Sequence, residues 1–428
     1  MSVRNGAGGG DGRPTGPGRR TVAASAALGA ALLFTGGCGN TGRARSGSRR
    51  PEHGPAVVPR LPAPTGPHPL GVTTLYLVDP SRHDPWDRRL TRRELMITVR
   101  YPARTVHGHP VAPQMTPGAA QVFAGLDPRL HPGLPGSGVD WAATRTHAHT
   151  GAPAQPVRRP VLLHTPGGGD PRTLGTGLAE ELASHGWVVV SIDHPGDASE
   201  VEFPVTTPQR PAPVRTTVLR GDPRTDPDLF RTLIDTRLAD TRFVRTQLAE
   251  LAAGRNPDAA GHPLPDGLGR ALDLRRVGIY GHSAGGTTAA QALHDDRCLR
   301  AAVNLEGHLD HPSRRPGRPG PLFPVARDGV DRPLLLVGTD GFPGRKELAR
   351  SWSALLAHPH GRTRRRQIRH TAHAVFTDLA AFAPQLQTAG LMTARDRNAL
   401  VGALDPARSV PAVRDLVRTF FARHLPPR

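Results

Sequence analysis

Short apolar runs alternate with longer amphipathic segments from about residue 61 to the end of the chain. Runs rich in valine, isoleucine and leucine predict buried strands. The predicted strands are Thr73–Val78, Leu95–Val99, Val161–His164, Val188–Ile192, Val277–Tyr280, Ala301–Leu305 and Leu334–Val337. The predicted helices are Gly177–Ser184, Leu229–Ala253, Thr287–Leu293, Lys346–Leu356 and Val410–His424. This alternation predicts an α/β fold with a mainly parallel sheet and helices on both faces.

Three segments depart from the alternation. The first two predicted strands follow one another without a helix, so we expect an antiparallel hairpin at one edge of the sheet. The segments Pro102–Pro160 and Phe203–Arg224 are rich in proline, glycine and threonine and are predicted to be surface loops. Loops of such length are more often functional lids or insertions than scaffold.

The beginning of the chain has the layout of an export signal. Arg19-Arg20 precede the apolar run Val22–Phe34, and Gly36-Gly37-Cys38 follow it. The run is too short to span a bilayer comfortably. A twin-arginine signal and lipidation of Cys38 both remain open, although Thr35 stands where lipoprotein signals usually carry a leucine-like residue.

The composition divides the chain into an export signal over 1–38, a tether over 39–60 and a folded domain over 61–428. Glycine, serine, arginine and proline dominate the tether. We therefore expect an exported protein, either extracellular or anchored to the outer face of the cytoplasmic membrane. The remaining cysteine, Cys298, is predicted to be a small core residue beside a strand.

The net charge of +19 does not indicate a nucleic-acid-binding protein. Lys346 is the only lysine, and the arginines are spread along the chain without interleaved aromatic residues. Most of this charge is expected on a solvated surface. The runs Arg314-Arg315 and Arg364–Arg366 offer basic patches for a membrane surface with anionic headgroups.

The pentapeptide Gly281-His282-Ser283-Ala284-Gly285 joins a predicted strand to a predicted helix. G-x-S-x-G in this context is typical of a serine hydrolase, whose nucleophile occupies a strained turn where neighbouring side chains would collide. Ser283 is therefore the candidate nucleophile. The helix that follows directs free N–H groups at the carbonyl that becomes an oxyanion.

A serine nucleophile needs a histidine base and a carboxylate that orients it. Glu306 and Asp340 each follow a predicted strand, at the end where side chains reach the site. His373 lies after the last predicted strand and before a helix, so the order Ser, acid, His is satisfied. His370 is its main rival, and His282 is expected to pack beside the nucleophile.

The glycine run Thr165-Pro166-Gly167-Gly168-Gly169-Asp170 follows another predicted strand. It lacks the spacing of a nucleotide site but suits an oxyanion loop, because glycine lets a backbone N–H approach the substrate closely. The predicted donors are the N–H groups of Gly168 and Ala284. Metal-binding motifs are absent and the pairs His147/His149 and His358/His360 lie in polar segments, so neither metal nor cofactor is expected.

Several of these motifs together are similar to the bacterial relatives of platelet-activating factor acetylhydrolase. The resemblance runs from about Leu61 to Leu386 and is carried by Gly167–Leu174, Leu182–Val189, Asp193–Pro195, Gly281–Gly286, Val303–Gly307 and His373–Asp378. In that family the acid follows the strand after the nucleophile, which favours Glu306 over Asp340. Two departures are glutamate in place of aspartate at 306, and Thr165-Pro166 in place of Ser-His.

The resemblance implies an α/β-hydrolase fold and hydrolysis of short-chain esters. The expected substrates include the acetyl group of a platelet-activating-factor-like phospholipid, as in a 1-alkyl-2-acetylglycerophosphocholine esterase. Two alternatives remain open at this point. One is an acyltransferase of the cell envelope with the same triad, and the other is an inactive surface protein that only binds lipid.

Overall fold

The computed structural model describes residues 56–315, 317–359 and 361–427. The predicted export signal over 1–38 with Cys38, most of the predicted tether and His360 lie outside these ranges. The last residues of the predicted tether contact the domain. The Val57 N–H donates to Gly138 O at 2.9 Å, and the Arg60 N–H donates to Gln385 Oε1 at 2.9 Å.

Twelve strands and ten helices form within the described ranges. The strands are β1 (Leu70–Asp79), β2 (Arg93–Pro102), β3 (Val111–Pro113), β4 (Arg145–Thr150), β5 (Arg159–Thr165), β6 (Val188–Ile192), β7 (Glu200–Glu202), β8 (Val214–Thr216), β9 (Leu272–His282), β10 (Leu299–Leu305), β11 (Leu334–Thr339) and β12 (Thr363–Ile368). The helices are α1 (Pro117–Leu130), α2 (Thr176–Ser184), α3 (Pro227–Ala252), α4 (Leu268–Ala271), α5 (Ala284–Asp295), α6 (Pro324–Asp328), α7 (Arg345–Leu356), α8 (Leu379–Thr388), α9 (Ala394–Val401) and α10 (Pro406–His424). Every strand and helix predicted from the sequence is present.

One sheet of ten strands has the order β12-β11-β10-β9-β5-β6-β2-β1-β4-β3. The strands from β12 to β6 run parallel, as the alternating pattern predicts. The predicted hairpin is confirmed, since β1 and β2 pair antiparallel from Leu70↔Pro102 to Asp79↔Arg93. It is not the outermost pair, because the short strands β4 and β3 lie beyond β1.

Helices cover both faces of the sheet, which confirms the predicted layering. Val277 and Ile279 of β9 pack in a cluster with Leu233 of α3 and the alanines of α5. Tyr280, which follows Ile279, points to the opposite face, because side chains alternate along a strand. There its ring lies 6.3 Å from that of Phe421 on α10.

Two sequence predictions are wrong. The segment 102–160 is not simply a surface loop, because it folds into β3, α1 and β4, and Phe123 of α1 is fully buried against Trp141. Cys298 is exposed rather than in the core. It lies in the turn before β10, where its N–H donates to Asp296 Oδ1 at 2.9 Å.

Among the described residues, no helix is both long enough and apolar enough to cross a membrane.

Candidate active site

Ser283 lies at the sharp turn between β9 and α5. Its φ of 52° and ψ of −120° are strained values for a residue with a side chain. The turn is held by the Ser283 N–H, which donates to Leu305 O on the neighbouring strand at 2.8 Å. The strand, turn and helix therefore present Ser283 at the carboxyl edge of the sheet, as G-x-S-x-G predicts.

Glycines around this turn are required by space. A Cβ at Gly281 would lie 2.3 Å from Gly285 O, and one at Gly285 would lie 2.0 Å from Thr165 O. A third glycine, Gly307, packs under the turn, since its Cβ would lie 2.4 Å from Ser283 O. None of these three positions admits a methyl group without movement of the backbone.

His373 and Glu306 form a hydrogen-bonded pair. His373 Nδ1 lies 2.9 Å from Glu306 Oε2, and the carboxylate is 1% exposed. The other oxygen of Glu306 accepts from the Thr339 N–H at 2.5 Å and from Thr339 Oγ1 at 2.8 Å. The carboxylate is thus fixed on both sides, and Phe342 stacks on the His373 ring with centroids 4.4 Å apart.

The two rival residues have other surroundings. Asp340 Oδ1 accepts from the Thr371 N–H at 3.2 Å, and no hydrogen bond joins it to His373 within the described part of the chain. His370 is exposed and has a left-handed φ of 59°. The structure brings Glu306, rather than Asp340, to His373.

The predicted oxyanion donors lie beside the nucleophile. Gly168 follows β5, and a Cβ built on it would lie 3.5 Å from the Ala284 Cβ. Ala284 is the first residue of α5, whose opening N–H groups have no acceptor within the helix. Gly168 and Ala284, which belong to different segments, therefore lie next to each other at the cavity that Ser283 lines.

These residues open on one cavity of about 970 Å³, lined by Ser283, His373, Gly168 and Ala284 together with residues of five other segments. One wall is the end of α1, from Leu126 to Pro132, and another is the stretch 216–224. That stretch belongs to the segment predicted as a long functional loop. Arg129, Arg220 and Arg224 line the cavity together with Asp222 and Glu347.

A second cluster of titratable groups lies at one wall of the cavity. His131 contacts two buried carboxylates, with Nε2 3.2 Å from Asp170 Oδ1 and Nδ1 3.5 Å from Asp127 Oδ1. Burial opposes its charge, but Asp127 and Asp170 raise the pKa of His131 well above its ordinary value. Burial also lowers the pKa of His282, whose ring lies 4.4 Å from that of His373. His282 packs beside the turn, as expected.

Two residues that the sequence analysis missed hold the glycine loop. Arg237 of α3 donates to backbone oxygens of this loop, and Asp197 accepts from the Gly169 N–H at 2.9 Å. The signal was an arginine on the apolar stripe of a helix, three and four residues after Ile234 and Leu233. No group of three or more metal-ligating side chains occurs among the residues that the structure describes.

No family model matches the chain. The fold is similar to that of ferulic acid esterase from Streptomyces cinnamoneus, with a TM-score of 0.65 and 30% identity. This similarity covers 86% of the chain and 94% of that enzyme. The fold and the elbow at Ser283 therefore define the class as an esterase-type α/β-hydrolase.

Two curated proteins are similar to the chain in sequence. The chain is 26% identical over 269 residues to a probable 1-alkyl-2-acetylglycerophosphocholine esterase of Arthroderma benhamiae, and 22% identical over 272 residues to the platelet-activating factor acetylhydrolase of Bos taurus. These matches span 61% and 57% of the chain, but only 59% and 52% of the relatives. The chain is therefore similar in sequence to platelet-activating factor acetylhydrolase-like esterases, as its motifs indicate, and it spans only a little over half the length of these relatives.

Proposed function

We propose that the protein hydrolyses carboxylic esters with Ser283 as nucleophile, His373 as general base and then acid, and Glu306 as the orienting carboxylate. The observation that carries the proposal is the bond of 2.9 Å between Glu306 and His373, at a cavity that His373 and Ser283 both line. The N–H groups of Gly168 and Ala284 are the proposed oxyanion donors.

The reaction follows from these roles. Ser283 Oγ attacks the ester carbonyl and His373 Nε2 takes its proton, while the carboxylate of Glu306 accepts a hydrogen bond from Nδ1 and stabilises the imidazolium. The tetrahedral oxyanion accepts hydrogen bonds from the two N–H groups. The alcohol leaves with the proton from His373, and a water molecule, deprotonated in its turn by His373, releases the acid from the acyl-serine.

The proposed substrate class is an acetyl ester of a platelet-activating-factor-like phospholipid. Such a molecule carries a phosphate diester and a quaternary ammonium group near the ester. Arg129 and Arg220 line the cavity, and neither forms a salt bridge within the described ranges. Their guanidinium groups suit the phosphate, while Asp222 and Glu347 of the same cavity suit the cation.

A feruloyl ester is the second candidate substrate. The observation that favours it is the 30% identity to a ferulic acid esterase over almost all of that enzyme. Phe230 and Phe342 line the cavity and provide aromatic surfaces for a phenolic acyl group. A rate comparison between the two ester classes separates the candidates.

We also propose that the protein acts outside the cytoplasm. The support comes from the sequence of residues 1–38, whose arginine pair, apolar run and Gly-Gly-Cys end have the layout of an export signal. A lipid on Cys38, or the basic runs, would keep the enzyme beside its phospholipid substrate.

The decisive experiment uses the chain without residues 1–40 and its Ser283→Ala variant. Wild-type protein is expected to hydrolyse p-nitrophenyl acetate and to be labelled at Ser283 by a fluorophosphonate, and the variant is expected to do neither. Turnover by the variant near the parent rate would refute the assignment of the nucleophile. Absence of labelling in the wild type would favour a lipid-binding protein, and ester products that require an alcohol acceptor would favour an acyltransferase.

A further inference from the structure

Arg237 is a fully buried cation in the middle of α3. Arg237 is 0% exposed, and its guanidinium group faces the glycine loop that follows β5. Nη1 donates to Pro166 O at 2.5 Å, and Nη2 donates to Gly167 O at 2.7 Å. Two successive backbone oxygens of the loop are thus held by one rigid, planar group.

Asp197 completes the arrangement from the other side. Its Oδ2 accepts from Arg237 Nε at 2.5 Å, and its Oδ1 accepts from the Gly169 N–H at 2.9 Å. The side chain of Asp197 is 1% exposed. The ion pair therefore fixes the peptide groups on both sides of Gly168 without contacting Gly168 itself.

The geometry of the peptide bond links this pair to catalysis. The oxygen of Gly167 and the N–H of Gly168 belong to one peptide unit, which is planar and trans, so they point in opposite directions. When Arg237 binds that oxygen, the N–H of Gly168 must point away from Arg237. A hydrogen bond to the oxygen also polarises the peptide unit and strengthens its N–H as a donor.

We propose that Arg237, paired with Asp197, is a positioning residue that aims the Gly168 N–H at the ester oxyanion. This inference rests on the proposed function. The pair is needed because the loop contains three successive glycines, which give the backbone little conformational preference of its own. Gly168 has ordinary van der Waals space around it, so packing alone does not set its direction.

Further contacts hold the start of the loop. Arg237 Nη1 also lies 3.3 Å from Thr165 Oγ1, which is 2.9 Å from His194 Nε2. His194 Nδ1 in turn lies 3.0 Å from Asp240 Oδ2, and all these side chains are buried. Thr165 therefore helps to support the loop. It is one of the two residues, Thr165 and Pro166, that stand where the family commonly has Ser-His.

Arg237→Lys tests the role, because lysine keeps the charge but cannot bind two oxygens and Asp197 in a plane. We expect kcat for p-nitrophenyl acetate to fall by about 10²-fold, the range for a lost or misplaced oxyanion donor. KM is expected to change less than about threefold, because the donor acts mainly in the transition state. Affinity for an alkyl boronic acid, whose adduct places an oxygen in the oxyanion site, should fall with kcat.

Arg414→Lys is the matched control. Arg414 is a buried arginine that also donates to backbone oxygens, those of Ala63, Pro62 and Gly177, but it does not line the cavity. The Arg414→Lys variant is expected to have a lower Tm than the wild type but an unchanged kcat for p-nitrophenyl acetate. If Arg237→Lys loses no more kcat than Arg414→Lys, the positioning role is refuted while the proposed function stands.

Asp197→Asn provides a second variant if Arg237→Lys does not fold. Asparagine can still accept from the Gly169 N–H but no longer carries the charge that orients Arg237. We expect a smaller fall in kcat, about tenfold, with KM again little changed. An unchanged kcat would overturn the inference. If the wild type shows neither turnover nor labelling at Ser283, the proposed function itself is wrong. The inference about Arg237 then fails as well.

Discussion

Glu306 reaches His373 although its side chain is one methylene longer than the aspartate usual in the family. The Oε2 to Nδ1 distance is 2.9 Å. Two features accommodate the extra length. Glu306 adopts a left-handed φ of 62°, and Thr339 binds its second oxygen through both its N–H and its hydroxyl group. Both oxygens of the longer acid are therefore held by hydrogen bonds.

Glu306→Gln is expected to lower kcat/KM for p-nitrophenyl acetate by about 10³-fold or more, because an amide no longer stabilises the imidazolium of His373. Asp340→Asn is the matched control, since this carboxylate follows the next strand but bonds to Thr371. Its kcat/KM should stay within about threefold of the wild type. An equal loss confined to Asp340→Asn would transfer the role to Asp340.

The choice between the two acids shows what the sequence could and could not provide. The residues alone left Glu306 and Asp340 open, because both follow a strand on the same edge of the sheet. The resemblance favoured Glu306, and the structure adds the contact itself. The support from Thr339 could not be predicted, because it depends on how β10 and β11 are aligned in the sheet.

The crowding of the elbow predicts unequal effects of alanine at two glycines. Gly285→Ala should lower the free energy of unfolding by about 1–3 kcal/mol, because its Cβ would lie 2.0 Å from Thr165 O. Gly168→Ala should leave it unchanged or raise it by about 0.5 kcal/mol, since its Cβ meets nothing closer than 3.5 Å. Urea denaturation measures both, and similar losses in the two variants would contradict this account of the turn.

The arginines of the cavity predict a preference for esters that carry a phosphate group. Arg129→Gln and Arg220→Gln should each lower the ratio of kcat/KM for an acetylated phosphocholine lipid to that for p-nitrophenyl acetate by about tenfold, the value of one charge-assisted hydrogen bond. The exposed Arg395→Gln, on a helix away from the cavity, serves as control. A ratio that changes no more than in this control would remove the support for a phospholipid substrate.

The cluster around His131, at one wall of the cavity, predicts a dependence of stability on pH. Asp127 and Asp170 raise the pKa of His131, so this residue is protonated in the folded protein at pH values where the unfolded chain has lost the proton. The stabilisation is complete below the unfolded pKa of about 6.5 and is lost as the pH rises through the higher folded pKa.

Thermal unfolding of wild type and His131→Gln between pH 6 and pH 10 measures this effect. The difference in Tm between the two proteins should shrink as the pH rises above about 6.5. A difference that stays constant across this range would show that the ion pair with Asp170 does not contribute.

The fold was predictable where side chains are buried on a regular pattern and not elsewhere. Helix α1 escaped prediction because Gly118, Gly125 and Pro128 lie within it, and glycine and proline usually mark loops. The role of Arg237 escaped for a different reason. Its partners Pro166 and Asp197 are separated from it by 71 and 40 positions, and only the packing of α3 on the sheet brings them together.

Strand β12 gives the arginine run Arg364–Arg366 a structural place at the edge of the sheet. All three residues are exposed, and no strand of the described ranges lies on the far side of β12. An open edge of this kind can pair with the edge of another molecule and start aggregation, which closely spaced positive charges oppose by mutual repulsion. By this argument the run opposes the pairing of one copy of the sheet with the next, so the same arginines that give the surface its charge also protect its open edge.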